Sequence, residues 1–294
     1  MFESIGRSWH LFKDSLAVLR QEPVLAVFPV IAFTASVLVA GVLGGFAFAL
    51  GWFGGADGIS PSGWVAIALF YFCSYFAAIY CQVALISAVR ERLAGRDATF
   101  GASIAAANRR LGAITSWAII AAIVGLILRI LDEVARRNTR GWGRIVAQII
   151  IGMLGAAWSL AVFFVIPIIA YEGVGGFEAI RRSLRIVRQR WGEAVIGNAG
   201  IGLFVVLAVI AVGLAFGVIG ILMVSAGGAA VWLGVAMLVA GALGIAGIIA
   251  VGSALQSIYT AVLYQYAITG EAPAYFAQED LRSAFRPAPT ASGI

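Results

Sequence analysis

Long apolar runs separated by short charged blocks fill the chain. No charged side chain occurs within 23–56, 58–89, 111–128, 145–171 or 194–270. About 20 residues cross a hydrocarbon core of about 30 Å. Each of the first four runs therefore predicts one crossing, and the last is long enough for two or three. Its best turn is Ser225-Ala226-Gly227-Gly228, which predicts a fifth helix near 195–224 and a sixth near 229–268. At about 1.5 Å per residue the sixth helix would be about 60 Å long, which exceeds the bilayer. Either its polar end, with Gln256, Thr260 and Gln265, projects beyond the membrane, or the chain breaks near Gly252-Ser253 and crosses again. No Pro, Asn or Asp supports a second turn there, so turn chemistry favours six crossings over seven. The expected fold class is all-α: a polytopic integral membrane protein with six transmembrane helices.

Helical periodicity also appears outside the spans. Phe2-Glu3-Ser4-Ile5-Gly6-Arg7-Ser8 returns as Phe177-Glu178-Ala179-Ile180-Arg181-Arg182-Ser183, differing only at Ser4/Ala179 and Gly6/Arg181. The apolar phase repeats too: Phe2, Ile5, Trp9, Phe12 and Leu16 match Phe177, Ile180, Leu184, Val187 and Trp191. Spacings of three and four place each set on one helical stripe. Cations at Arg181, Arg182, Arg185 and Arg188 accompany the second copy. An amphipathic helix of this kind lies flat among lipid headgroups. A third candidate, 100–111 with Arg109 and Arg110, matches poorly. The expectation is a partial internal repeat with two or three interfacial helices, each preceding a membrane hairpin. The modules are about 1–92, 98–172 and 175–270 of one membrane domain, followed by a polar tail at 271–294.

Composition agrees with a lipid environment. The chain is 62% hydrophobic and 12% charged, where ordinary globular domains carry about 25% charged residues. Its net charge of +6 sits in basic blocks between apolar runs. That arrangement points to anionic headgroups as partner, and not to nucleic acid, which asks for a basic face on a soluble scaffold. Cys73 and Cys81 are eight residues apart in one apolar run, about 12 Å along a helix, too far for a disulfide. The charged first 22 residues do not read as a secretory signal peptide.

Basic residues lie before the first span, between the second and third, between the fourth and fifth, and in the tail, which predicts a cytoplasmic N-terminus in the plasma membrane. Arg129, Arg136, Arg137, Arg140 and Arg144 dissent, because between the third and fourth spans they face outward in this topology.

Candidate chemistry is sparse. The only histidine, His10, lies off the apolar stripe of the first surface helix. No His/Cys/carboxylate set has metal-ligand spacing, so no catalytic, metal or cofactor-binding residue is assigned. Glycines fall inside the spans, as in Gly41 and Gly45, Gly213 and Gly217, or Gly241, Gly244 and Gly247. Small residues at this spacing let membrane helices approach closely. No ionisable side chain sits deep in a span, which argues against a proton-driven pump. Neutral polar groups do: Gln82, Asn198, Gln256, Tyr259, Thr260 and Tyr264. They either line a pocket for a headgroup or small solute, or hold neighbouring helices together. Pro29 and Pro167 have matching surroundings, Val27-Phe28-Pro29-Val30-Ile31-Ala32-Phe33 and Val165-Ile166-Pro167-Ile168-Ile169-Ala170-Tyr171, and each predicts a kink.

The stretch from Ala157-Trp158-Ser159-Leu160 to Phe163-Phe164-Val165-Ile166-Pro167, then Glu172-Gly173, Glu178-Ala179-Ile180, Ser183, Trp191-Gly192-Glu193 and Gly197-Asn198, carries a resemblance. It resembles an uncharacterised family of six-span integral membrane proteins of bacteria and archaea. In architecture the chain also looks like the membrane domain of some glycerophosphodiester phosphodiesterases, but it has no soluble catalytic domain and no catalytic carboxylate/histidine set. The resemblance implies the architecture and assigns no active-site residues. The expected function is non-enzymatic: a membrane scaffold or accessory subunit that packs against lipids, a partner membrane protein or a second copy. The alternative is a transporter or channel for a neutral or amphiphilic solute.

Overall fold

The computed structural model describes residues 15–17, 19, 20, 22–52, 60–138, 141–190, 194–271 and 273. Every regular element among them is helical. In order they are α1 (Val24–Ala49), α2 (Pro61–Leu93), α3 (Phe100–Asn108), α4 (Leu111–Asn138), α5 (Trp142–Ala161), α6 (Val165–Glu172) and α7 (Gly176–Arg190). Then come α8 (Ala194–Val212), a π-helical turn (Gly213–Val218), α9 (Ile219–Ala226) and α10 (Ala230–Thr269). Six spans are long and apolar enough to cross a bilayer: α1, α2, α4, α5 with α6, Phe204–Ala226, and α10. Many of their exposed side chains are apolar, among them Phe33, Val42, Phe48, Met153, Leu214 and Leu243. Hydrocarbon suits such a surface where water does not.

The chain forms two compact units, residues 1–30 with 192–294, and residues 31–191. This division cuts across the three expected modules. Most of the first amphipathic segment (2–16), His10, Trp191 and nearly all of the tail lie outside the described residues. The repeat therefore has only its second copy, α7, on view.

The turn expected at Gly227-Gly228 is there. Both glycines have positive φ, 75° and 59°, a region that costs other L residues energy. Beyond it α10 is one uninterrupted 40-residue helix. Gly252-Ser253 is no break. From Ala254 to Tyr264 the helix is buried apart from Gln256, with Leu255, Ile258, Tyr259, Val262, Leu263 and Tyr264 almost fully enclosed. The excess length is thus accommodated by protein: one half of α10 presents apolar side chains outward, and the other is core.

Two other spans depart from the sequence pattern. The third was expected to end at Leu128, but α4 runs to Asn138 through Arg129, Asp132, Glu133, Arg136 and Arg137. Arg136 pairs with Asp132 at 2.7 Å and Arg137 with Glu133 at 2.6 Å, each one helical turn away. The dissenting basic block is therefore largely a helix end, with two of its arginines facing carboxylates. The fourth span is interrupted at 162–164, before α6 begins. Pro167 lacks an N–H, and its ring crowds the carbonyl four residues earlier, at Phe163, so the helix opens there. Pro29, in matching surroundings, stays inside the continuous α1.

Candidate functional site

Within residues 31–191, α7 is seated by small residues. Gly173 ends α6 in the left-handed region (φ 69°). Three residues on, the N–H of Gly176 donates to Ser116 Oγ at 2.9 Å, and that hydroxyl donates to the Ala113 carbonyl at 2.8 Å. Gly176, Ala179 and Ser183 share one helical face and are buried. Ser183 Oγ accepts the Phe164 N–H at 3.1 Å, satisfying a backbone donor released by the break before α6. Leaving such a buried donor without an acceptor costs about 1–3 kcal/mol.

The docked face is not the whole apolar surface of α7. Phe177 remains 79% exposed, alongside the exposed Arg181, Arg185 and Arg188. An aromatic next to cations on the open side of a helix suits the headgroup region. Arg182 differs from its neighbours. It holds Glu172 at the end of α6 and, at 2.8 Å, Glu178 one turn back. The guanidinium keeps the Glu178 carboxyl below the usual carboxylate range, chiefly through this hydrogen bond. Arg182 is thus a clasp between α6 and α7, and the exposed cations among the described side chains of the helix are Arg181, Arg185 and Arg188.

The same end of this unit gathers further arginines. Tyr80 Oη donates to Asn108 Oδ1 at 2.7 Å, tying α2 to α3. Arg90, at the end of α2, places its Cζ 5.1 Å from the centroid of the Tyr171 ring on α6. Arg109 and Arg110 form the turn between α3 and α4. Burial, with the charges of Arg90 and Arg109 adding to it, holds the Arg110 guanidinium below its ordinary pKa. Sequence reasoning used Arg109 and Arg110 as the cations of a third interfacial-helix candidate and Arg90 only within the basic block between the second and third spans. The available signal was their position at the end of one span and the start of the next, which a helical hairpin brings together.

The neutral polar residues divide between the two units. Gln82, on α2 among residues 31–191, is half-buried. On α10, Tyr259, Thr260 and Tyr264 are buried while Gln256 is exposed, so Gln256 does not face the same interior. Asn198 lies on α8, with its side chain outside the described residues. Several hydroxyls in the spans turn back on their own helices, although Ser74 Oγ on α2 is buried with no partner among the described residues. Ser36, Ser87, Ser159, Ser257 and Thr260 each donate to the carbonyl four residues earlier, at 2.7–2.9 Å.

In residues 192–294 a cavity of about 390 Å³ lies between α8 and α10, lined by Phe204, Val205, Ala208, Gly244, Gly247 and Gly252 among others. Its lining is apolar, and the π-helical turn follows on α8. The chain packs closely around it: a Cβ on Gly252, in its lining, would lie 2.4 Å from Val205 Cγ2, and one on Gly241 2.6 Å from Phe216 Cβ in the π-helical turn. Of the glycines expected to let helices approach, Gly241 does so, whereas a Cβ on Gly41, Gly45, Gly217 or Gly247 would meet nothing within 4 Å.

A family model described as a family of unknown function (DUF6159) matches residues 61–274. No curated protein and no solved structure matches the chain, and the likeness to the membrane domain of glycerophosphodiester phosphodiesterases finds no counterpart there.

Proposed function

We propose that this chain, which belongs to the family of unknown function DUF6159, is a non-enzymatic membrane scaffold or accessory subunit that engages anionic headgroups and neighbouring membrane helices. The carrying observation is the fate of polar groups in the spans: the hydroxyls of Ser36, Ser87, Ser159, Ser257 and Thr260 are tied to their own backbone. A solute path needs polar groups turned toward a lumen, as transporters supply from unwound helices or ionisable side chains. Supporting features lie at the surface, where α7 offers Phe177 beside Arg181, Arg185 and Arg188 and the α8–α10 cleft is apolar.

Purified full-length protein reconstituted in liposomes is expected to pass glycerol no faster than protein-free liposomes. In native mass spectrometry it is expected to retain phosphatidylglycerol over phosphatidylcholine, less so with Arg185→Gln/Arg188→Gln. Glycerol flux that Gln82→Ala abolishes without lowering expression would instead establish the transport reading.

The positive-inside rule supports a plasma-membrane orientation with Arg90, Arg110 and α7 on the cytoplasmic side. Trp142 starts α5 and is 83% exposed. In a chain with Cys73 and Cys81 replaced by alanine, Trp142→Cys is expected to react with an impermeant maleimide only from outside the cell. Reaction only from the cytoplasmic face would invert the topology.

A further inference from the structure

Three arginines at the end of residues 31–191 where α2 stops and α4 begins share a neighbourhood, and among the described residues no carboxylate pairs with them. Arg90 is set against the face of Tyr171. Arg110 donates Nη1 to the Ala106 carbonyl at 3.1 Å, and its Nε is buried with no hydrogen-bond partner among the described residues. That Nε lies 3.9 Å from where a Cβ on Gly173 would sit, so the αL turn after α6 leaves room beside it. Arg109 adds a third, exposed charge. The acidic groups described at this end have other partners. Glu91 binds Arg96 at 2.5 Å, Asp97 lies 3.9 Å from Arg92, and Glu172 and Glu178 share Arg182.

Like charges held together beside a half-buried guanidinium repel one another unless an anion joins them. Guanidinium forks match phosphate oxygens, and a ring beneath one of them fixes its plane. We propose that Arg90, Arg109 and Arg110, backed by Tyr171 and Gly173, form a binding site for one phosphate group. The phosphate has two sources, the headgroup of an anionic phospholipid or a soluble phosphate. The first rests on the scaffold reading, in which this end of the protein meets anionic headgroups. The second does not.

The test uses the full chain in non-ionic detergent, with phosphatidylglycerol, phosphatidylcholine and inorganic phosphate as probes, read by thermal midpoint and by native mass spectrometry. Phosphatidylglycerol or inorganic phosphate is expected to raise the midpoint, and phosphatidylcholine to leave it unchanged. Each lost charged hydrogen bond is worth about tenfold, so Arg90→Gln and Arg110→Gln are expected to weaken binding by about that factor. Arg109→Gln, on the exposed side of the cluster, tests the charge where Arg110→Gln disturbs folding. A response to inorganic phosphate alone assigns the soluble source. A response to phosphatidylglycerol that inorganic phosphate does not compete away assigns the headgroup. Unchanged binding of both probes in Arg90→Gln and Arg109→Gln overturns the site. If Arg185→Gln/Arg188→Gln then still lowers lipid retention, the scaffold reading stands without the site. If it does not, both fall.

Discussion

Gly234→Ala is expected to unseat the last helical hairpin, with a loss of about 1–3 kcal/mol or more, the cost of overpacking a close contact. A Cβ at this position would lie 2.7 Å from the Gly220 carbonyl oxygen and 2.8 Å from the Val224 amide nitrogen. Both are backbone atoms of α9, so no rotamer change relieves the clash and the two helices must separate. Membrane helices have little hydrophobic drive to associate with each other, so close packing of this kind is much of what holds them. A Cβ on Gly247, further along α10, would meet nothing within 4 Å. Gly247→Ala should therefore match the parent chain, or gain slightly from lower backbone entropy. The measurement is the thermal midpoint of the purified protein in detergent. Equal midpoints for the two variants would mean that α9 and α10 do not pack as described.

The six spans and the Gly227-Gly228 turn were legible because lipid enforces a long apolar run and a turn needs glycine. Charge was a poorer guide to where a helix stops. Arg129 looked like the end of the third span, but Asp132 and Glu133 stand one turn before Arg136 and Arg137, a spacing that carries α4 onward to Asn138. Local sequence did not separate Pro29 from Pro167, although only the second follows an opened helix. Part of that difference is tertiary: Ser183, from another helix, accepts the Phe164 N–H that the opening releases. The candidate polar set illustrates the same limit. Gln256 and Thr260 are one turn apart on α10, yet Thr260 is buried with its hydroxyl on the Gln256 carbonyl, while Gln256 itself is exposed. Polarity was readable from sequence. Which groups had already spent their hydrogen bonds was not.

The arginine cluster was invisible for a related reason. Arg90 lies near the end of α2 and Arg110 in the turn between α3 and α4, and only folding shows that Arg96, Arg92 and Arg182 have drawn the nearby carboxylates away from them. Charge left without a partner is what distinguishes a recognition surface from a set of ion pairs, since exposed ion pairs contribute little to stability on their own.

Trp117→Ala is expected to cost about 3–5 kcal/mol, the range for removing a large buried aromatic side chain. Trp117 is 5% exposed, and its ring stacks on Trp158 of α5 with centroids 5.9 Å apart. Its backbone is also the seat of α7: a Cβ on Gly176 would stand 3.0 Å from Trp117 N and Cα. One residue thus supports both the fourth span and the surface helix that bears Phe177 and the exposed arginines. Trp117→Phe keeps part of the stack and should recover part of the loss. If α7 is held mainly by its own amphipathic character at the membrane, a cysteine at Ser183 will stay shielded from maleimide in Trp117→Ala. If its position depends on the α4–α5 packing that the Trp117 ring holds together, Ser183→Cys becomes reactive in that background and stays protected in Trp117→Phe.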